Sequence, residues 1–166
     1  FTQLYFKQRW LIHKKIELED LMELGGTRES KDLVLFLLEN FYYLDDSILS
    51  VYLNDIAEYI VSETGFVEAT TQLLSLTFDD EADSSQKILD YIKMPVAKLG
   101  WRAIKTVNIF HKALKNYNDG KTQIVIIDEF IGSGRTLRGR IDFLRKNIKG
   151  EFDLKCCFVA GLRQTL

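Results

Sequence analysis

The sequence lacks the features that would place this chain in a membrane or in a secreted disulfide scaffold. No apolar run approaches the roughly 20 residues that a bilayer-spanning helix needs, and no basic segment leading to a cleavage site begins the chain. The two cysteines, Cys156 and Cys157, are adjacent, which is poorly suited to mutual pairing and lacks metal-site spacing. We therefore expect buried thiols in a reducing compartment and a cytoplasmic protein without a membrane segment.

An excess of charge of either sign is also missing. The chain has 22 lysine and arginine residues against 24 aspartate and glutamate residues, a net charge of -2. This balance gives no overall electrostatic reason to expect a nucleic-acid partner. Only one proline occurs among 166 residues and 46% of the residues are hydrophobic, so the composition indicates a folded globular chain with its own core.

Residues 1–65 have the pattern of a helical region. A first helical segment ends at the glycines 25–26, and a second is expected over about residues 31–43 after a cap at Thr27 or Ser30. A third segment precedes Gly65. Aromatic side chains at helical spacing are more typical of a packed core than of base stacking. We expect this for Phe36, Phe41, Tyr42, Tyr43, Tyr52 and Tyr59.

Residues 66–166 have the pattern of an α/β domain. Three apolar β-like stretches are expected as strands, over residues 72–77, 123–127 and 152–160. Between the first two, the patterns predict helices over residues 85–93 and 96–117. Strands that alternate with helices in this way specify a parallel sheet.

The most specific pattern covers residues 124–136 and reads Ile-Val-Ile-Ile-Asp-Glu-Phe-Ile-Gly-Ser-Gly-Arg-Thr. It predicts a buried strand, the acids Asp128 and Glu129, a loop of small residues and a helix start before the amphipathic segment 137–148. Backbone amides in such a loop, with the positive end of a helix behind them, bind phosphate. The carboxylates can accept hydrogen bonds from sugar hydroxyls or help to hold a metal ion. Phosphate together with a polyol indicates a sugar-phosphate ligand.

A simpler alternative is an ordinary strand-to-helix turn of a doubly wound sheet, in which an aspartate caps the helix and glycines relieve crowding. Two successive acids followed by Gly-Ser-Gly-Arg-Thr are more than a cap requires. A P-loop fits less well, because it needs a lysine followed by serine or threonine after a longer loop.

The run resembles the ribose-phosphate signature of the type I phosphoribosyltransferases, in which an apolar strand leads to two acids, two roughly apolar residues and a small-residue loop ending in threonine. By position, the resemblance implies that Asp128 and Glu129 contact the ribose hydroxyls and are the candidate Mg²⁺ ligands. It also implies a 5′-phosphate loop made of Gly132, Ser133, Gly134, Arg135 and Thr136. The fork of Arg135 could clamp phosphate oxygens, whereas Arg140 and Arg145 are expected to be ordinary surface charges of the helix.

A second loop matches the family by its order in the chain. Residues 78–85 follow the first strand and end in Ser84 and Ser85, at the expected cap of the next helix. In the family the corresponding loop contacts pyrophosphate, so these two serines are candidate pyrophosphate ligands. Four acids in the same stretch would repel pyrophosphate unless Mg²⁺ lay between them.

The resemblance implies a phosphoribosyltransferase-type, Rossmann-like parallel sheet preceded by a helical region. Only three strands are expected where the family usually has about five, so the chain is either a divergent domain or a piece of a longer one. The implied ligand is phosphoribosyl pyrophosphate or a nucleoside 5′-monophosphate, and the family reaction transfers ribose 5-phosphate to a nitrogen nucleophile. The alternative is a noncatalytic nucleotide-sensing module whose helical region binds a protein or nucleic acid. Homodimers are common in the family.

Overall fold

A computed structural model describes residues 2–75 and 84–162, except for the side chains of Ser84 and Ser85. Two compact units divide the chain, and the boundary between them lies between Ile48 and Leu49. The first unit therefore ends well before residue 65, and the predicted division into residues 1–65 and 66–166 stays a prediction. Among the described residues, no helix is both long and apolar enough to cross a bilayer.

The first unit is helical, as the sequence predicts. Its elements are α1 (Thr2–Lys7), a 3₁₀ helix (Arg9–Lys14), α2 (Lys15–Leu24) and α3 (Arg28–Asn40). The side chain of Thr27 caps α3 by accepting a hydrogen bond from the backbone N–H of Ser30 at 3.2 Å. A small core of three buried leucines holds these helices together, formed by Leu4, Leu11 and Leu18.

The expectation that the aromatic residues form a core is wrong for four of the six. Phe36, Phe41, Tyr42 and Tyr43 are all exposed. The three-leucine core packs against Leu35 and Leu38 of α3, and α3 itself contains no fully buried residue. This core is too small to cover the remaining sides of α3 and of the segment that follows it.

The rest of the chain builds an α/β unit. In chain order it contains most of α4 (Asp46–Glu58), a π-helical turn (Tyr59–Glu63), a 3₁₀ turn (Glu68–Thr70), β1 (Thr71–Leu74), α5 (Ser84–Lys98), β2 (Lys105–Val107), α6 (Phe110–Asn118), β3 (Gln123–Ile131), α7 (Arg135–Asn147) and β4 (Asp153–Gly161). The four strands form one sheet in the order β2-β1-β3-β4, and every pair is parallel. The predicted α/β parallel sheet is confirmed.

β3 lies in the middle of this sheet and is covered on both faces. Successive side chains of a strand point to opposite faces. Ile124 and Ile126 lie on one face, in a buried cluster that also contains Ala113 of α6 and Leu144 of α7. Helix α5 contacts β3 but contributes nothing to that cluster, so it covers the opposite face. This burial explains why residues 124–127 read as a continuous apolar run.

The predicted helix over residues 96–117 is wrong. Helix α5 runs through Pro95 and ends at Lys98, where Gly100 adopts a positive φ of 104°. The N–H of Trp101 donates to the carbonyl of Val96 at 3.0 Å, which completes a glycine C-cap. Beyond it, β2 pairs with β1, because a partner strand outweighs the local helical pattern.

The strand β3 is longer than the predicted 123–127. It continues to Ile131 because its partner β4 pairs with it as far as Gly161, and the N–H of Leu162 donates to the carbonyl of Ile131 at 3.0 Å. Asp128 and Glu129 therefore belong to the strand, opposite the end of β4, and the loop begins only at Gly132.

The two cysteines of β4 differ in their exposure to solvent. Cys157, which pairs in register with Ile127, is buried as expected, whereas Cys156 is exposed. The expectation of two buried thiols is wrong for Cys156, because adjacent side chains of a strand point to opposite faces. Desolvation raises the pKa of both thiols, that of Cys157 to about 12.

The burial of Cys157 predicts a pH dependence of stability. Burial raises the pKa of the Cys157 thiol from 9.0 to about 12, so its contribution to stability is complete below about pH 9 and is lost as the pH rises toward 12. We expect Cys157→Val to flatten the fall of the unfolding free energy above pH 9, by at most ~1.4 kcal/mol per pH unit. Urea unfolding followed by circular dichroism measures both slopes, with Cys156→Ser as a control that changes less. Equal slopes for wild type and Cys157→Val would contradict the assignment.

Candidate functional site

A cavity of about 270 Å³ opens at the carboxyl end of β3. It is lined by the loop Gly132–Gly134, the start of α7, Asp128 and Arg140. The apolar part of the lining consists of Phe130, Ile131, Leu137 and Phe158. All five residues of the predicted phosphate loop and the first predicted acid therefore border one cavity.

The sheet topology makes this edge a natural ligand site. From β1 the chain passes through α5 to β2 on one side, whereas from β3 it passes through α7 to β4 on the other. The direction of winding therefore reverses between the neighbouring strands β1 and β3. In open α/β sheets, ligands bind outside the carboxyl ends of the strands at such a switch point.

The start of α7 supplies hydrogen-bond donors for an anion. Gly134 immediately precedes the helix with a φ of 72°, and no side chain caps the helix there. The N–H of Arg138 is the first to bond back, to the carbonyl of Gly134 at 2.9 Å. The amides of Arg135, Thr136 and Leu137 have no acceptor within the helix. With the positive end of the helix dipole behind them, these amides are available to donate hydrogen bonds to an anion, and the first turn contains no acid that would compete for them.

The carboxylate of Asp128 is held at both oxygens. Its Oδ1 accepts the backbone N–H of Glu129 at 2.9 Å, and its Oδ2 accepts Nη1 of Arg140 in an ion pair. The Asp128 side chain is 18% exposed, and that of Arg140 is 4% exposed. A carboxylate has about four lone-pair sites, so two acceptor positions remain on the side chain that borders the cavity.

Glu129, the second predicted acid, does not line the cavity with Asp128. Because both residues lie in β3, their side chains point to opposite faces of the sheet. Asp128 shares the face of α6 and α7, and Glu129 shares the face of α5. The sequence pattern alone did not indicate this separation, because it predicted that the strand ended at residue 127.

Arg140 is a site residue that the sequence interpretation missed. The expectation of a surface charge is wrong, because Arg140 is 3% exposed and contacts Asp128; Arg145, in contrast, is exposed as expected. Helical spacing explains the burial: Leu137, Ile141 and Leu144 pack in the core beside β3, and Arg140 lies on the same side of α7. That spacing, together with an acid at the end of the facing strand, is the signal that could have identified it.

The described residues do not fit a metal ion held jointly by the two acids. Asp128 and Glu129 point to opposite faces of β3, and the carboxylate of Asp128 already has the guanidinium of Arg140 as its counter-ion. In residues 2–75 and 84–162, no group of three or more His, Cys, Asp or Glu side chains is placed to hold a metal ion.

The predicted pyrophosphate loop lies almost wholly outside the described residues. Residues 76–83 lie outside the described residues, and so do the side chains of Ser84 and Ser85. The backbone of Ser84 begins α5, where the sequence predicted a helix start. The ligand role of the two serines stays a prediction.

Comparison with known families agrees with the geometry. The model of a family described as PRTase-CE matches residues 24–166, which is most of the chain. This match confirms the resemblance to phosphoribosyltransferases that the run 124–136 carries. No curated protein matches the chain.

The positive φ of Gly134 predicts how its substitution by alanine will affect stability and phosphate binding, and Gly120 provides a matched control. Gly134→Ala and Gly120→Ala both place a Cβ at a positive φ, 72° and 92°, and each should lower the free energy of unfolding by about 1–2 kcal/mol. Gly120 lies in the turn before β3, outside the cavity lining. Only Gly134→Ala should also weaken the binding of inorganic phosphate. Thermal melts with and without phosphate measure both effects, and equal phosphate binding by the two variants would contradict the anion site at α7.

Proposed function

Because the chain belongs to the PRTase-CE family, we propose that its cavity binds the ribose 5-phosphate portion of phosphoribosyl pyrophosphate or of a nucleoside 5′-monophosphate. One observation carries the proposal. The carboxylate of Asp128 and the open amides of α7 border the same cavity. A hydroxyl acceptor and a phosphate site are the two elements that a sugar phosphate requires.

The phosphate binds at the start of α7. The amides of Arg135, Thr136 and Leu137 donate to its oxygens, and the helix dipole favours its negative charge. Arg135 is exposed and is one of the residues that line the cavity, so its guanidinium can add a bidentate, charge-assisted contact. Gly132 has no side chain and that of Ser133 is small, so the ligand can approach the loop backbone closely.

The ribose binds at Asp128. The two acceptor positions that its carboxylate retains match the two donors of a vicinal diol, so this single acid can accept from both ribose hydroxyls. The predicted contact of Glu129 with the ribose stays a prediction, because its side chain is not part of the cavity lining.

The size of the cavity indicates which part of the ligand it takes. Pockets that enclose a drug-sized ligand measure roughly 300–1,000 Å³, and this one measures about 270 Å³. We propose that the sugar phosphate fills it, while the base or the pyrophosphate projects outward. Phe130, which is 54% exposed, borders the same opening.

Two functions are compatible with such binding, and the lining favours the noncatalytic one. A transferase would pass through an oxocarbenium-like state and needs a group that manages the proton of the nitrogen nucleophile. Purine salvage members of the type I phosphoribosyltransferases, which the run 124–136 resembles, carry an aspartate proposed to manage the base proton at the position of Gly132, and glycine has no side chain to do so. Asp128 is the one acid in the described lining, and it is paired with Arg140. We therefore favour a nucleotide-sensing module over a transferase.

The exposed aromatic and aliphatic side chains of α3 support a partner-binding role for the helical unit. Leu33, Phe36 and Leu37 are all more than half exposed. Larger contiguous apolar surfaces of this kind are typical of protein interaction sites. A protein partner fits them better than a nucleic acid, because protein surfaces that bind nucleic acid are basic.

Mg²⁺ stays a prediction of the resemblance. Among the described residues no group of acids fits a jointly held ion, so an ion bound at this cavity would be held mainly by ligand phosphate oxygens and water.

Isothermal titration calorimetry tests the proposal. The ligands are phosphoribosyl pyrophosphate and a nucleoside 5′-monophosphate, each with and without Mg²⁺. We expect binding to the wild type that Asp128→Asn weakens by about tenfold or more, because hydrogen bonds to a charged group contribute about 1.5–3 kcal/mol. Glu129→Gln is the matched control and should change the affinity by less than about threefold, a change well under 1 kcal/mol.

Three outcomes would change these assignments of the site, of the ribose ligands or of the noncatalytic function. Absence of binding to the folded wild type would reject the proposed site. A loss with Glu129→Gln equal to that with Asp128→Asn would support the sequence prediction that both acids contact the ribose. Release of pyrophosphate from phosphoribosyl pyrophosphate in the presence of nitrogen nucleophiles would establish a transferase and contradict the noncatalytic assignment.

A further inference from the structure

We propose that Arg140 is a positioning residue that aims the carboxylate of Asp128 at the vicinal hydroxyls of the ligand, and so sets the preference for ribose over deoxyribose. The inference rests on the proposed binding of ribose 5-phosphate. It concerns a residue outside the 124–136 motif, twelve positions after Asp128 in the sequence.

The location of Arg140 is unusual for an arginine. It lies on the core-facing side of α7 and is 3% exposed, one of five buried polar residues among those that the structure describes. Its Nε has no hydrogen-bond partner among the described residues, although its Nη1 is paired with Asp128. The neighbouring positions on this side of the helix, Leu137, Ile141 and Leu144, are aliphatic.

Stability alone does not account for this ion pair. Burying two charges costs several kcal/mol per ion, and an apolar pair of similar volume is often as stable or more stable. The unpaired Nε adds a further desolvation cost. What the pair does provide is a fixed position for a carboxylate at the wall of the cavity.

The two contacts of Asp128 define that position. The N–H of Glu129 holds Oδ1 from the backbone of β3, and Arg140 holds Oδ2 from α7. Contacts from two different elements prevent the carboxyl group from rotating, so its unused lone pairs keep fixed directions. Without Arg140, only the contact from the adjacent residue remains, and the carboxylate can turn away from the ligand.

A merely structural role of Arg140 and a positioning role predict different effects of its loss on the affinities for different ligands. If Arg140 only stabilised the fold, its loss would weaken every ligand equally. If it positions Asp128, its loss should affect ligands in proportion to the hydroxyls that Asp128 contacts. Inorganic phosphate, which binds only at α7, should be unaffected.

The test compares ribose 5-phosphate, 2-deoxyribose 5-phosphate and inorganic phosphate by calorimetry. A site that bonds a hydroxyl rejects an analogue without it, and we expect the wild type to prefer ribose over deoxyribose by about tenfold, the value of one hydrogen bond. Arg140→Met should reduce this ratio to below about threefold and leave phosphate affinity unchanged. Arg140→Lys, which keeps a cationic donor, should restore part of the ratio. Arg145→Met, an exposed arginine of the same helix outside this cavity, is the matched control.

A double-mutant cycle tests the inference even if the single variant Arg140→Met fails to fold. Asp128→Asn/Arg140→Met leaves no unpaired buried charge and should fold more readily than Arg140→Met. If Arg140 acts through Asp128, the double variant should have the same ribose-to-deoxyribose ratio as Asp128→Asn. A lower ratio in the double variant would overturn the inference.

The remaining outcomes separate failure of the proposed function from failure of the positioning role alone. If the folded wild type binds none of the three ligands, the proposed function fails and the inference fails with it. If the wild type binds ribose 5-phosphate and Arg140→Met weakens all three ligands equally, the proposed function stands but the positioning role is overturned.

Discussion

The parallel pairing of β3 with β1 on one side and β4 on the other is the constraint from which the rest of the site follows. Parallel strands are connected by helices that cover the faces of the sheet. β3 is parallel to both of its neighbours and is buried on both faces, and its residues 124–127 are all apolar and fully buried. The pairing with β4 continues past this run to Ile131. It thereby carries Asp128 to the sheet edge where α7 begins, with an orientation fixed by the alternation of the strand.

That alternation gives the two neighbouring acids different environments. Asp128 emerges on the face covered by α7 and meets a buried guanidinium, whereas Glu129 emerges on the opposite face. The positive end of α7 and the guanidinium of Arg140 approach the cavity from the same helix. One element therefore provides both the open amides and the counter-ion of the acid, so in the proposed site the spacing between the phosphate and polyol contacts would be set within a single strand–loop–helix unit.

The sequence identified this unit but not its full geometry. The run 124–136 predicted a buried strand, a small-residue loop and a helix start, and each of these is present. The orientation of Glu129 was missed because it depends on β4, a pairing 30 residues away in the chain, which no local pattern encodes. The burial of Arg140 was missed because an arginine in a helix is usually a solvated charge, and only its alignment with Leu137 and Leu144 indicates otherwise.

A similar tertiary effect explains the error around β2. The residues between α5 and α6 contain apolar side chains that fit a helical period, so propensity and periodicity favoured one long helix. Gly100 ended the helix instead, and β2 formed because β1 offered an unpaired edge. In the helical unit, periodicity predicted the helices and the cap at Thr27 correctly. It could not predict that the core of that unit would leave its aromatic residues exposed, because exposure depends on how much surface the other helices cover.

The central claim is that one cavity binds the phosphate at the start of α7 and the ribose at Asp128. A ¹⁵N-resolved NMR titration with ribose 5-phosphate tests it most directly, because backbone amides that donate to a phosphate shift strongly. We expect large shifts for the amides of Arg135, Thr136 and Leu137 and for the amide of Glu129, whose acceptor is the Asp128 carboxylate. Inorganic phosphate should shift only the α7 amides. Saturable binding of ribose 5-phosphate without shifts at either position would contradict the account.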